Sequence, residues 1–202
     1  MSRYTGAKLR IIRRLGDLPG LTSKIKKRTN RPGQHGAVNK KLTQFAIRLE
    51  EKQKLRFNYG LSEKQLMNYV KQAKRIKGAS GTVLLNLLEM RLDNLVFRLG
   101  LAPTIASARQ LVNHKHIYVN QNCVSIPSYQ CQPGDTLSVK KSAKSEKLVQ
   151  TSLEAPALSN IPQHLDFNKE KLVAKVLSVV DREWVALKLN ELLVIEFYSR
   201  KL

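Results

Sequence analysis

The chain has 202 residues, 36 of them Lys or Arg and 15 Asp or Glu, which gives a formal net charge of +21. A hydrophobic fraction of 42% supplies a core, so the composition describes a folded protein whose excess charge calls for a polyanion. It has no run of 18 apolar residues to cross a membrane, no apolar leader and only two cysteines, and at 6% its aromatics are too few for a surface of stacked rings.

The charge is unevenly placed: net +13 over residues 1–60, +4 over 61–100, +4 over 101–147 and zero over 148–202. Residues 1–41 read as a basic arm carrying Arg3, Lys8, Arg10, Arg13 and Arg14, with Asp17 its one acid. Lys24, Lys26, Lys27 and Arg28 follow a Leu18-Pro19-Gly20 turn. Such an arm is expected to contact phosphates and to order only on its partner. Pro32-Gly33-Gln34-His35-Gly36 is a compact turn without the Lys-Ser/Thr tail of a P-loop. Lys40 and Lys41 close the arm.

From Leu42 the pattern is helical, with Phe45, Leu49 and Lys52 on one face, a basic Arg56, and Gly60 as the stop. Ser62 with Gln65 is a capping-box pattern that opens a second helix. Leu66, Tyr69, Val70 and Ala73 form its apolar stripe, and Lys71 and Lys74 belong to its basic flank. Leucines and Val96 between Leu84 and Leu99 recur at three- and four-residue spacings, which predicts one long amphipathic helix ended by Gly100. In such a helix Glu89 and Asp93 are neighbours of like charge, so a basic group from elsewhere is expected beside them. Arg91 falls on another azimuth, free to face a partner.

Thr104 caps a short helix that buries Ile105, Ala108, Leu111 and Val112. Its polar side carries Arg109, Gln110 and Asn113, followed by His114, Lys115 and His116. Ile117–Val119 and Cys123–Ile126 read as strands joined by an Asn120-Gln121-Asn122 turn, and Thr136–Val139 as a third strand after Pro133-Gly134-Asp135. Residues 140–160 read as a mobile loop or irregular crossing. Leu172 to Val180 and Trp184 to Leu189 read as strands and core, and Asn190 to Ser199 as a closing helix. The fold class is therefore α+β.

Several of these segments resemble one family. Arg91-Leu92-Asp93-Asn94-Leu95, Ala102-Pro103-Thr104, Ala108-Arg109-Gln110-Leu111-Val112, His116-Ile117-Tyr118-Val119-Asn120 and Pro133-Gly134-Asp135 are similar to the S-four RNA-binding module. Arg3-Tyr4, the Pro32–Gly36 turn, Glu51-Lys52-Gln53-Lys54, Tyr59-Gly60-Leu61, Leu87-Leu88-Glu89 and Ile195-Glu196-Phe197-Tyr198-Ser199 extend the match over nearly the whole chain. The chain resembles the small-subunit ribosomal protein S-four family, in its plastid and cyanobacterial branch.

The resemblance implies an arm (1–41), a helical domain (42–89) closed by a C-terminal helix (190–202), and an inserted S-four RNA-binding domain (90–189). It implies a structural constituent of the small ribosomal subunit that binds small-subunit ribosomal RNA early in assembly. It also implies a position beside ribosomal protein S-five, where the family affects decoding accuracy. At the messenger RNA channel the basic side chains would be Lys40 and Lys41. The RNA-binding candidates in the module are Arg91, Arg109, Gln110, Asn113, His114, Lys115 and His116. Ile105 stands where many bacterial relatives have an arginine. No cysteine precedes Cys123, so the zinc site of some relatives is not expected, and neither is a cofactor. A chain that starts at the family's own Arg-Tyr is expected to work where it is made, in the chloroplast stroma or alternatively in a bacterial cytoplasm.

The rival from another class is a pseudouridine synthase, which carries the same module and a catalytic aspartate in an Arg-Leu-Asp motif. Here Arg91-Leu92-Asp93 is expected inside a helix, and no domain of enzyme size remains. A non-enzymatic protein is therefore expected. A non-ribosomal RNA-binding factor is the second rival, and it would leave the small subunit in a high-salt wash.

Overall fold

The computed structural model describes residues 4–38, 41–154 and 160–199. Its helices are α1 (Lys8–Leu15), α2 (Gln44–Asn58), α3 (Glu63–Arg75), α4 (Ser80–Glu89), α5 (Leu92–Arg98), α6 (Ile105–Asn113), α7 (Ala143–Glu154) and α8 (Glu191–Ser199). Its strands are β1 (Ile117–Val119), β2 (Asn122–Cys123), β3 (Thr136–Val139), β4 (Leu165–Asn168) and β5 (Val173–Val176). The chain divides into two compact units, Met1–Leu85 with Ala186–Leu202, and Asn86–Val185.

The first unit is helical. Thr43 caps α2 through its hydroxyl, and Gly60, at φ +59, turns the chain out of that helix in a conformation side chains disfavour. Ser62 and Gln65 form the expected reciprocal capping box of α3. Leu55, Tyr59, Leu66, Val70, Ala73 and Leu84 are buried, and Val194, Phe197 and Tyr198 bury the inner face of α8. A Cβ on Gly81 would lie 2.6 Å from Glu191 Cγ, so a larger residue there would force the Glu191 side chain to shift.

Polar contacts set the place of α8. Arg48 Nε donates to Glu196 Oε2 at 2.7 Å, and the Asn190 backbone N–H donates to Glu51 Oε2 at 3.0 Å. Tyr198 donates its hydroxyl to Glu63 Oε1 at 2.7 Å, while Lys52 Nζ donates to Glu63 Oε2 at 2.9 Å. Burial alone would raise the Glu63 carboxyl, but the hydrogen bonds from Lys52 and Tyr198 outweigh it and hold the carboxyl below its ordinary value.

The basic arm differs from expectation. Residues 8–15 form α1, and Ile11, Ile12, Leu15 and Leu18 are buried. Gly20 N–H donates to Asn58 Oδ1 at 2.9 Å, and Arg13 donates to the carbonyls of Asn30 and Arg31. The four apolar residues recur at helical spacing. Their stripe supplies the burial that the charge count obscured.

The second unit is the α+β part. Its sheet is wholly antiparallel, in the order β2-β1-β3-β5-β4. The β1–β2 turn has Asn120 at φ +48 and Gln121 at φ +69, as a tight hairpin requires. Asn120 Oδ1 accepts from the Thr136 N–H at 2.9 Å, and its Nδ2 donates to Asp135 Oδ1 at 2.7 Å.

Four local expectations for this unit are corrected. The long leucine helix breaks between Glu89 and Leu92, where Arg91 is extended and bridges Gln130. The free N–H groups of Leu92 and Asp93 donate to the carbonyls of Tyr129 (2.9 Å) and Pro127 (3.1 Å), so a distant loop satisfies what a continuous helix would have satisfied. Residues 143–154 are helical, with Ser145 and Val149 buried. The strand expected over Cys123–Ile126 shortens to Asn122–Cys123. Trp184 ends a 3-10 turn (Arg182–Trp184), half-buried, and its carbonyl accepts from Arg98 Nη2.

His164 is 4% exposed, and neither ring nitrogen has a hydrogen-bond partner among the described residues. Burial first, then the Arg98 charge, lowers its pKa from 6.5 to about 4. The folded state thus binds this proton less readily than the unfolded chain. Stability is complete above pH 6.5 and falls as pH drops from 6.5 towards 4. The expected loss by pH 4 is roughly 3 kcal/mol. It should be absent from His164→Leu when urea midpoints are compared at neutral and acid pH, and an unchanged difference would refute this assignment.

Candidate nucleic-acid interface

The candidate residues of the second unit surround a buried carboxylate. Asp93 is 1% exposed and accepts from Arg91 Nε at 3.0 Å, Arg91 Nη2 at 2.7 Å and Arg109 Nε at 2.8 Å. Asp93 thus receives the basic neighbour that its charge demanded. Glu89 has its own partners, Asn94 Nδ2 at 2.8 Å and Arg98 Nε at 3.7 Å. Arg91 is likewise 1% exposed, which corrects its expected place on the surface. The break in the helix turns its side chain inward onto Asp93. The Arg109 side chain is 13% exposed. The Arg109–Asp93 pair ties α6 to the start of α5, and the one carboxylate is shared by both guanidinium groups.

Helix α6 begins at Thr104, whose Oγ1 accepts from the Ser107 N–H at 3.2 Å, and buries Ile105, Ala108, Leu111 and Val112 as expected. Burying that stripe leaves Gln110, Asn113, His114 and Lys115 exposed around its C-terminal end. Lys115 has φ +62, a conformation in which a Cβ is strained by about 1 kcal/mol. Backbone preference would put Gly or Asn there. Lys115→Gly is therefore expected to keep or slightly raise the melting temperature while weakening RNA binding severalfold. A large loss of stability would show that the lysine packs.

His116 is half-buried, and its Nδ1 lies 2.8 Å from Ser145 Oγ on α7. Burial, with the charges of His114 and Lys140 behind it, lowers the His116 pKa. The Lys140 N–H donates to the His116 carbonyl at 2.8 Å. These two links bring the start of α7 beside the end of α6. Lys140, Lys141, Lys144 and Lys147 are all exposed there. They were absent from the candidates because residues 140–160 read as a loop; their four lysines in eight residues were the available signal.

The candidates in the first unit are more scattered. Arg10 and Arg14 are exposed on α1, Lys71 and Lys74 on α3, and Lys41 precedes α2. Lys8 is half-buried, and Arg13 is half-buried with its guanidinium turned to backbone carbonyls. Arg56 is half-buried, with its guanidinium carbon 5.2 Å from the Phe57 ring centroid. Arg3 and Lys40 lie outside the described residues. Among the described residues no group of three or more His, Cys, Asp or Glu is arranged to hold a metal. Also among them, no helix is long and apolar enough to cross a membrane.

Lysines around the end of one helix and the start of the next, on a frame held by internal ion pairs, can neutralise backbone phosphates of a shaped RNA. Comparison with known proteins places the chain in a family. Residues 3–89 match the Ribosomal protein S4/S9 N-terminal domain, and residues 90–137 match the S4 domain. The small ribosomal subunit protein uS4c of Emiliania huxleyi is 77% identical over 202 residues, covering all of both chains. That of Rhodomonas salina is 66% identical, and the small ribosomal subunit protein uS4 of Nostoc punctiforme 64%, each over 201 residues and again all of both chains.

Proposed function

The chain belongs to the uS4 family of small ribosomal subunit proteins, and from that premise we propose how it serves there. It is a structural constituent of the small ribosomal subunit that binds ribosomal RNA, and it is not an enzyme. Identity of 77% along the whole of both chains carries this conclusion. An Arg-Leu-Asp nucleophile would need an open carboxylate, whereas Asp93 is buried between two guanidinium groups.

The exposed group around Asn113, His114, Lys115 and the α7 lysines is the RNA face of the second unit. Arg10, Arg14, Lys41, Lys71 and Lys74 serve the first, and Arg3 and Lys40 extend that set. A-form RNA hides its base edges in a deep groove, so this surface reads the shape of a helical junction through phosphates and 2′-hydroxyls. Binding of this kind needs no other protein and suits an early step that nucleates the subunit body. The neutral last 55 residues suit a protein neighbour, ribosomal protein S-five, through which the chain would contribute to accuracy. Lys41, with Lys40, would meet messenger RNA at its channel. The subunit would be that of a plastid, in the chloroplast stroma, since two of the relatives are plastid-type uS4c proteins. A bacterial cytoplasm is the alternative, which the cyanobacterial relatives favour.

The test is binding of the full chain to its small-subunit ribosomal RNA against an equal mass of transfer RNA, over a salt series. The expected outcome is a specific complex whose logarithmic salt slope falls by about 0.7–0.9 per phosphate contact removed. It should also sediment with small subunits through a high-salt wash. Equal affinity for both RNAs, or release in the wash, would indicate a transient RNA-binding factor instead.

A further inference from the structure

We propose that a cleft between α1 and α2 receives one unstacked nucleotide of the ribosomal RNA, an inference that rests on the RNA-binding function above. The cleft has a volume of about 360 Å³, at the small end of the roughly 300–1,000 Å³ typical of small-ligand sites. A double helix cannot enter it, but a single base can. Ile11, Leu49 and Phe57 supply apolar lining. Arg10 and Arg14, one helical turn apart on α1, line the same cleft and are exposed. Among the described residues neither arginine has an ion-pair partner. Glu50 also lines it but is already held by Arg31 at 3.2 Å.

A nucleotide matches this lining in both its parts. Its base offers a flat, weakly hydrated face to Ile11, Leu49 and Phe57. Its phosphates meet two guanidinium groups that keep their charge at any working pH. An apolar peptide would leave the arginines unanswered, and a fully stacked duplex would leave the apolar lining unfilled.

The experiment uses the full chain and its small-subunit ribosomal RNA. Chemical footprinting compares the wild type with Leu49→Trp, which fills the cleft. One unpaired nucleotide is expected to be protected by the wild type and reactive with Leu49→Trp, with the remaining footprint intact and affinity reduced about 5- to 100-fold. Independently, Gln53, which also lines the cleft, is replaced by p-benzoylphenylalanine. Irradiation should then join the protein to that same nucleotide, which keeps the question decidable if Leu49→Trp folds poorly. An unchanged footprint and affinity, crosslinking to a paired helix or no crosslink would overturn the proposal. So would crosslinking to a protein in assembled subunits. A wild type that does not bind this RNA at all would instead remove the RNA-binding function, and the cleft proposal with it.

Discussion

Asp93→Ala is expected to destabilise the second unit by about 3–5 kcal/mol. The carboxylate is the shared counter-charge of Arg91, which is 1% exposed, and Arg109, whose side chain is 13% exposed. Its removal leaves two guanidinium groups facing each other in a site that water scarcely reaches. An unpaired buried charge costs far more than a lost hydrogen bond. Asp93→Asn keeps one acceptor oxygen but no charge, so it should fall between wild type and alanine. Urea titration of the full chain followed by far-ultraviolet circular dichroism measures this. A loss under about 1 kcal/mol would place Asp93 among ordinary surface ion pairs.

Lys115→Glu, Lys144→Glu and Lys147→Glu together are expected to lower affinity for small-subunit ribosomal RNA by roughly two orders of magnitude near 0.1 M salt. The logarithmic salt slope should fall by about 2–3, close to one per lysine. All three side chains are exposed, so the urea midpoint should hardly move. Weak binding with an unchanged slope would mean that the lysines act through the fold. An unchanged affinity would move the RNA face elsewhere. Arg109 is unsuitable for this experiment: reversing it would put an acid beside Asp93 and disrupt the hub before any phosphate contact could be measured.

Much of the architecture is legible in local pattern. Ser62 with Gln65, and Thr104, mark helix starts by chemistry that acts within three residues. The Asn-rich turn after Val119 needs only left-handed backbone at two adjacent positions, and Asn120 with Gln121 adopt it. Asp93 required a basic partner, and it has two. The burial of α1 had a local signal, the spacing of Ile11, Ile12, Leu15 and Leu18, whereas other misplacements were decided by distant groups. The leucine run from Leu84 to Leu99 has unbroken helical spacing, yet carbonyls more than thirty residues away stop it at Arg91. Residues 143–154 include Ser and Thr that favour turns on their own, yet the segment forms α7 with Ser145 and Val149 buried. The hydroxyls of Thr151 and Ser152 bond back to the carbonyls one turn earlier within it.

The sequence by itself determined a polyanion-binding α+β protein, because net charge, its confinement to the first 147 residues, caps and turns are properties of residues and their near neighbours. Tertiary structure alone decided which cations are spent inside. Arg91, Arg109 and Lys52 carry the same charge as Lys115 and Lys144, but each meets a carboxylate, Asp93 for the arginines and Glu63 for Lys52. Lys115 and the α7 lysines are left facing solvent because packing two helix ends together buries their apolar sides. The +21 of the chain is therefore a sum over cations with two different uses, and only the fold distinguishes those that hold the protein together from those available to RNA.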